Sequence, residues 1–163
     1  MMDAKKISFM GIFLSVSLVL SYLESLIPFF FGIPGMKLGL SNALVMILLY
    51  LYGIKECALV NILRIIITGM LFGNAFSVVY SLSGALFSLL VMVLLKKTLK
   101  PDIAVNSICG GMAHNAGQLL IAALLFGSPY LLYYLPFLLL FGFASGGLIG
   151  IISRGCLFKI KRE

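Results

Sequence analysis

Six long apolar stretches run through this chain, and the charges, glycines and prolines between them mark where each one stops. Cut at those residues, the stretches are roughly 7–27, 38–53, 54–73, 75–95, 103–126 and 130–153. A hydrocarbon core of about 30 Å takes about 20 helical residues, and five of the six reach that length. The second covers only about 20–24 Å at 1.5 Å per residue, so it is expected to be steep, partly sunken, or extended by the loop before it. Lipid-facing and buried positions are both apolar here, so a helical period is hard to read within a stretch. Strands are not expected, because the strands of a membrane barrel alternate apolar and polar positions and these runs do not. The pattern predicts an all-α integral membrane protein with six transmembrane helices in a single domain, 1–163.

Composition agrees with the pattern. The chain is 62% hydrophobic and 10% charged, with a mean hydropathy of +1.18; a soluble domain carries about 25% charged residues. The first stretch is expected to stay on the protein, since no small-residue cleavage site follows it and five more apolar stretches do.

The net charge of +7 would suggest nucleic acid in a soluble protein, but its placement gives another explanation. With the N-terminus in the cytoplasm, Lys5, Lys6, Lys55, Lys96, Lys97, Lys100, Arg154, Lys159, Lys161 and Arg162 all fall on the cytoplasmic side, Lys37 falls outside, and Arg64 falls inside a helix. Ten against one is a positive-inside distribution. It places both termini in the cytoplasm of a multi-pass cell-membrane protein and accounts for the charge without nucleic acid. Cys57, Cys109 and Cys156 then lie in the cytoplasmic half, have no metal-ligand spacing, and read as free thiols.

The first outer loop, "PFFFGIPGMKLGLS" at 28–41, is the longest, with two prolines and three glycines. It is apolar for a loop and is expected to pack back onto the helices. The turns at Gly73-Asn74 and Gly127-Ser128-Pro129 are short.

Polar residues inside the apolar stretches carry the candidate chemistry. Arg64 lies about ten residues into the third helix, about 15 Å deep, where a guanidinium costs at least about 2.5–3.5 kcal/mol unless paired or hydrated. Asn61 and Thr68 share its stripe. Two readings stand: a ligand or counter-ion contact on a water-filled cavity, or a structural pair with Glu24 or with carbonyls. Glu24, near the outer end of the first helix, either meets the interface or lines an outer cavity beneath the first loop. In the fifth helix, His114 and Gln118 share a face at i, i+4 with Asn115 beside it, among Gly110, Gly111, Ala113, Ala116 and Gly117. They form either hydrogen bonds that lock helices together or, with Arg64 at similar depth, an outward-open polar pocket. One His with no carboxylate or thiol on its face argues against a metal, and no cofactor motif is present. Two small-residue stripes, Ser77, Ser81, Gly84 and Ser88 in the fourth helix and Gly11 with Ser15 in the first, suit close helix contact.

The segments "SYLESLIPFFFGIPGMKLGLSNALVMILLYLYG", "LVNILRIIITGMLFGN", "YSLSGALFSLLVM" and "GGMAHNAGQLL" resemble, over nearly the whole chain, the membrane family labelled heptaprenyl diphosphate synthase component I, also called the Gx transporter family. The layout is also similar to the substrate-binding S components of energy-coupling factor (ECF) transporters. That likeness implies a six-helix bundle whose first outer loop lids a site. It also implies a small-residue motif in the first helix that contacts a transmembrane coupling subunit with its ATPases. The S-component motif is Ala-xxx-Ala, where this chain has Gly11 and Ser15. The ligand would then touch the 28–39 loop, which holds Lys37, and the outer parts of the later helices, which include Gln118.

The enzyme label meets a chemical objection. Prenyl chain elongation needs clustered carboxylates to hold Mg²⁺ and diphosphate, and Asp3, Glu24, Glu56, Asp102 and Glu163 are scattered. The expectation is a non-enzymatic, solute-binding membrane subunit for uptake of a small molecule, with a non-catalytic accessory role in prenyl diphosphate or quinone metabolism as the alternative. Arg64, His114, Asn115, Gln118, Glu24 and Lys37 are the candidate ligand residues, and Gly11 and Ser15 the candidate docking residues. The topology is checked by cysteine accessibility scanning in a background lacking the native thiols. Position 37 should label from outside and position 97 only from inside; the reverse pattern would overturn the sidedness.

Overall fold

In hydrocarbon a helix satisfies its own backbone, and apolar runs of this length have no better solution. The computed structural model describes residues 4–26 and 39–160. It forms α1 (Ala4–Leu26), α2 (Leu40–Leu51), α3 (Ile54–Phe72), α4 (Ala75–Thr98), α5 (Ile103–Phe126), a 3-10 helix (Pro129–Tyr134) and α6 (Leu135–Ile160). No strand occurs among the described residues. The chain is an all-α membrane protein: Ala4–Leu26, Ala75–Thr98, Ile103–Phe126 and Pro129–Ile160 are each long and apolar enough to cross a membrane.

Among the described residues, six α-helices form where six apolar stretches were read, with some bounds shifted. α3 carries Lys55, Glu56 and Arg64 within its 19 residues. α2 has 12 residues, about 18 Å, shorter than the 38–53 stretch. Helix ends also move. The sixth stretch does not start as an α-helix at 130, because Pro136 in a helix interior would lose a hydrogen bond and clash with the carbonyl four residues back. Residues 129–134 instead wind as a 3-10 helix, and α6 begins at Leu135 with Pro136 in its first turn. It then runs past Arg154 to Ile160, as α4 runs past Lys96 and Lys97. A charge marks the edge of a bilayer, not the end of a helix, and a cation in the last turn suits the helix dipole.

Terminators are local. Past the end of α4, the N–H groups of Leu99 and Lys100 both donate to the Leu95 carbonyl, at 3.0 and 2.9 Å, with Lys100 in the left-handed region at φ 47° before Pro101. Asp102 caps α5 by accepting from the Ala104 N–H at 3.1 Å and meets Arg154 at 3.3 Å. Gly127, at φ 60°, closes α5.

Contacts group the chain into two compact units, Met1–Val78 and Val79–Glu163. In the first, α1, α2 and α3 each pack on the other two. Lys6 pairs with Glu56 at 2.5 Å and sits 5.9 Å over the Tyr52 ring, while Tyr22 meets Phe72 with ring centroids 5.0 Å apart. These two pairs show α1 and α3 running parallel; α2 runs antiparallel to both, starting beside Glu24 and ending near Phe9, whose ring lies 6.5 Å from that of Tyr52. The short α2 is deeply buried, from Val45 through Leu49.

The second unit is built on close backbone approach. A Cβ on Gly142 would lie 2.7 Å from the Gly111 carbonyl oxygen, one on Gly146 2.7 Å from that of Ser107, and one on Gly150 2.7 Å from the Ala104 Cα. These three glycines, four residues apart, form a seam along α6 against α5. The sequence reading missed this seam, although the small-xxx-small spacing was there to be read. On the other side of α5, Gly84 and Ser88 of the α4 stripe face it, Gly117 lies under Phe87, and the Ser83 hydroxyl donates to the Gly117 carbonyl at 3.2 Å.

Adjacent glycines of α6 should therefore respond oppositely to alanine. Gly146→Ala places a methyl against backbone that cannot turn aside and should cost about 1–3 kcal/mol. Gly147→Ala meets only the Ile108 side chain, at 3.8 Å, and should be neutral or gain up to about 1 kcal/mol from helix propensity. Thermal unfolding in one detergent reads both; equal effects would remove the seam as the basis of the α5–α6 contact.

Candidate ligand site around Arg64

The first helical turn of α2 has no side-chain cap of its own: Gly39, at φ 74°, precedes it and offers none. The cap comes from another helix. Glu24 of α1 accepts the Leu40 N–H at 2.6 Å and the Ser41 hydroxyl at 3.3 Å. A carboxylate at the positive end of a helix is favourable, and this one is almost fully buried.

Arg64 reaches the same turn from α3. Its Nη1 donates to the Ser41 Oγ and, at 3.5 Å, to the Ser21 Oγ. Its Nη2 donates to the Asn42 Oδ1 at 3.1 Å and the Asn61 Oδ1 at 2.7 Å. Arg64 is 8% exposed. No carboxylate pairs with it among the described residues, and Glu24 is linked to it only through the Ser41 hydroxyl. The guanidinium's charge is thus met by neutral oxygens from α1, α2 and α3, and its buried Nε–H has no partner among the described residues.

Several expectations for this stretch resolve here. The structural reading paired Arg64 with Glu24 or carbonyls; the partners are instead hydroxyl and amide oxygens, with Glu24 one step away. Asn61 takes part. Thr68 does not reach the guanidinium, since its hydroxyl donates back to the Arg64 carbonyl at 2.8 Å. Ser21, Ser41 and Asn42 were not foreseen. The "SN" pair at the start of a helix could have suggested the last two, because such residues favour helix starts.

The polar residues of α5 belong to the second unit. The Asn115 Nδ2 donates to the Leu138 carbonyl of α6 at 2.7 Å. Gly84 of α4 leaves room for both His114 and Gln118: a Cβ there would lie 2.9 Å from the His114 Nε2 and 2.6 Å from the Gln118 Cγ. Gln118 is buried, and His114 is half-buried. The three side chains therefore sit on two seams of α5, Asn115 toward α6 and the other two toward α4. Lys37, with the rest of the expected lid at 28–38, lies outside the described residues. Gly11 and Ser15 are on an exposed face of α1. A Cβ at Gly11 would touch nothing within 4 Å, and the Ser15 hydroxyl turns back to the Gly11 carbonyl at 2.9 Å.

Each described carboxylate is already engaged: Glu24 at the start of α2, Glu56 with Lys6, and Asp102 at the start of α5 with Arg154. Among the described residues no group of three or more His, Cys, Asp or Glu side chains is arranged to hold a metal ion.

Neither the curated proteins nor the solved structures include a match to this chain. A family model does match, over residues 13–156, a range that takes in part or all of every helix and both polar clusters. Since that range covers most of the chain, the protein belongs to the family described as heptaprenyl diphosphate synthase component I.

Proposed function

We propose that this chain is a membrane-embedded binding subunit that takes up a small molecule with an anionic or carbonyl-rich end and passes it inward with an energising partner. One observation carries the reading: a buried guanidinium held by neutral oxygens beside a helix start, with one N–H still unmatched. A cation kept solely for packing would be better served by a direct carboxylate partner. A charged-group hydrogen bond is worth about 1.5–3 kcal/mol, so an oxygen supplied to Nε would add binding energy where the protein leaves it unused. The chain itself is read as non-catalytic, since its carboxylates are dispersed and prenyl transfer requires them together.

A second reading has its own support. The family's description speaks of a component of a synthase, which implies a second component and favours an accessory role beside a separate catalytic chain. Both readings need a docking face, and the open Gly11–Ser15 face of α1 is where we place it.

Two measurements test these assignments. Native mass spectrometry of the chain extracted from its own membrane should show a retained acidic or carbonyl-rich small molecule. Arg64→Gln should reduce that retention by about 10-fold or more, with Asn42→Ala, which removes one contact, as the milder companion. A wild-type protein carrying nothing, or unchanged retention in Arg64→Gln, would end the binding reading and leave the accessory one. Replacing Gly11 and Ser15 together by Leu should abolish co-purification of a membrane or catalytic partner while leaving ligand retention intact. Surviving co-purification would move the docking face elsewhere.

A further inference from the structure

Between Asp102 and Arg154 the chain has no Lys, Arg, Asp or Glu, so the turn joining α5 to α6 must meet the membrane boundary without a charged side chain. What it has instead is tyrosine. The 3-10 helix has no buried residue; Tyr130 is 73% exposed, Tyr133 82% and Tyr134 51%. Three residues make one turn of a 3-10 helix, so positions 130 and 133 fall on one face. Their rings lie 6.5 Å apart at 23°. Phe126 and Phe137 flank them and are also exposed.

A phenol ring has an apolar body and a polar tip. Deep in hydrocarbon the hydroxyl lacks a partner, and in bulk water the ring face is wasted; the headgroup boundary suits both. Helix length puts the turn at such a boundary. From Leu135 to Arg154 α6 runs 20 residues, about 30 Å, which is the thickness of the hydrocarbon core. With Arg154, Lys159, Lys96, Lys97 and Lys100 at one headgroup layer, the tyrosines reach the other.

We propose that the tyrosine-bearing turn at 129–134 is an interfacial anchor whose partner is the lipid headgroup layer opposite the basic end, and that it sets the depth of the α5–α6 hairpin. The observations come from the second unit alone and do not depend on the Arg64 site.

The chain has no tryptophan, so one substitution gives a single fluorescent reporter. Tyr133→Trp, in phosphatidylcholine vesicles whose acyl chains carry bromine at graded depths, should be quenched most by the shallowest bromines and progressively less toward the bilayer centre. Quenching that peaks at the centre would overturn the placement, and so would an indole untouched by any bromolipid, which would mean that protein or water covers this face. Anchoring is tested separately. With Phe126→Trp as reporter, changing Tyr130, Tyr133 and Tyr134 together to Ala should shift the depth of greatest quenching. An unchanged depth would show that the tyrosines occupy the boundary without holding the hairpin there.

Discussion

A guanidinium in hydrocarbon has to be given oxygens, and much of the first unit follows from that need. Arg64 donates to side chains on three helices, and no single helix offers enough acceptors at one depth. The first turn of α2 must therefore lie level with the middle of α3, and a helix that starts so deep can be only 12 residues long. Its own orphan N–H groups then need an acceptor, which Glu24 supplies. The length of α2, the burial of Glu24 and the packing of α1 beside α3 are connected consequences of one cation placed mid-helix. The insertion cost of about 2.5–3.5 kcal/mol is comparable to one or two charged-group hydrogen bonds, so four such contacts outweigh it.

The second unit coheres differently. Between α5 and α6 there is no charge within the bilayer, and hydrophobic burial offers little, since lipid is as apolar as leucine. Contact instead depends on shape: removing side chains at Gly142, Gly146 and Gly150 lets backbone meet backbone, and the Asn115 amide adds one directional bond. The two units thus draw on opposite resources. One places polar groups where few are tolerated and satisfies them across helices; the other removes side chains so that dispersion forces act at short range.

Much of the architecture was legible in the chain. Apolar runs announced helices, and one arginine among leucines and isoleucines signalled a cluster of polar contacts. What escaped had physical reasons. Pro136 reshaped the start of α6, but it sits inside an apolar run where only its steric effect, not its polarity, distinguishes it. Ser41 fell where the first loop, 28–41, overlapped the second helix, 38–53, and sequence does not reveal that this helix begins level with Arg64. The α6 glycines were overshadowed by those around His114, since small-residue spacing alone does not tell which of several stripes finds a partner.

The order of residues around Arg64 also bears on biosynthesis. Ser21, Glu24, Ser41, Asn42 and Asn61 all precede Arg64 in the chain, so every acceptor, and the carboxylate behind them, has been translated before the cation leaves the ribosome. The arginine enters the membrane last, into a set of oxygens already made. A guanidinium emerging first would face lipid alone. With this order the costly residue is delivered to partners that have already emerged, and the hairpin of α2 and α3 can close as it inserts.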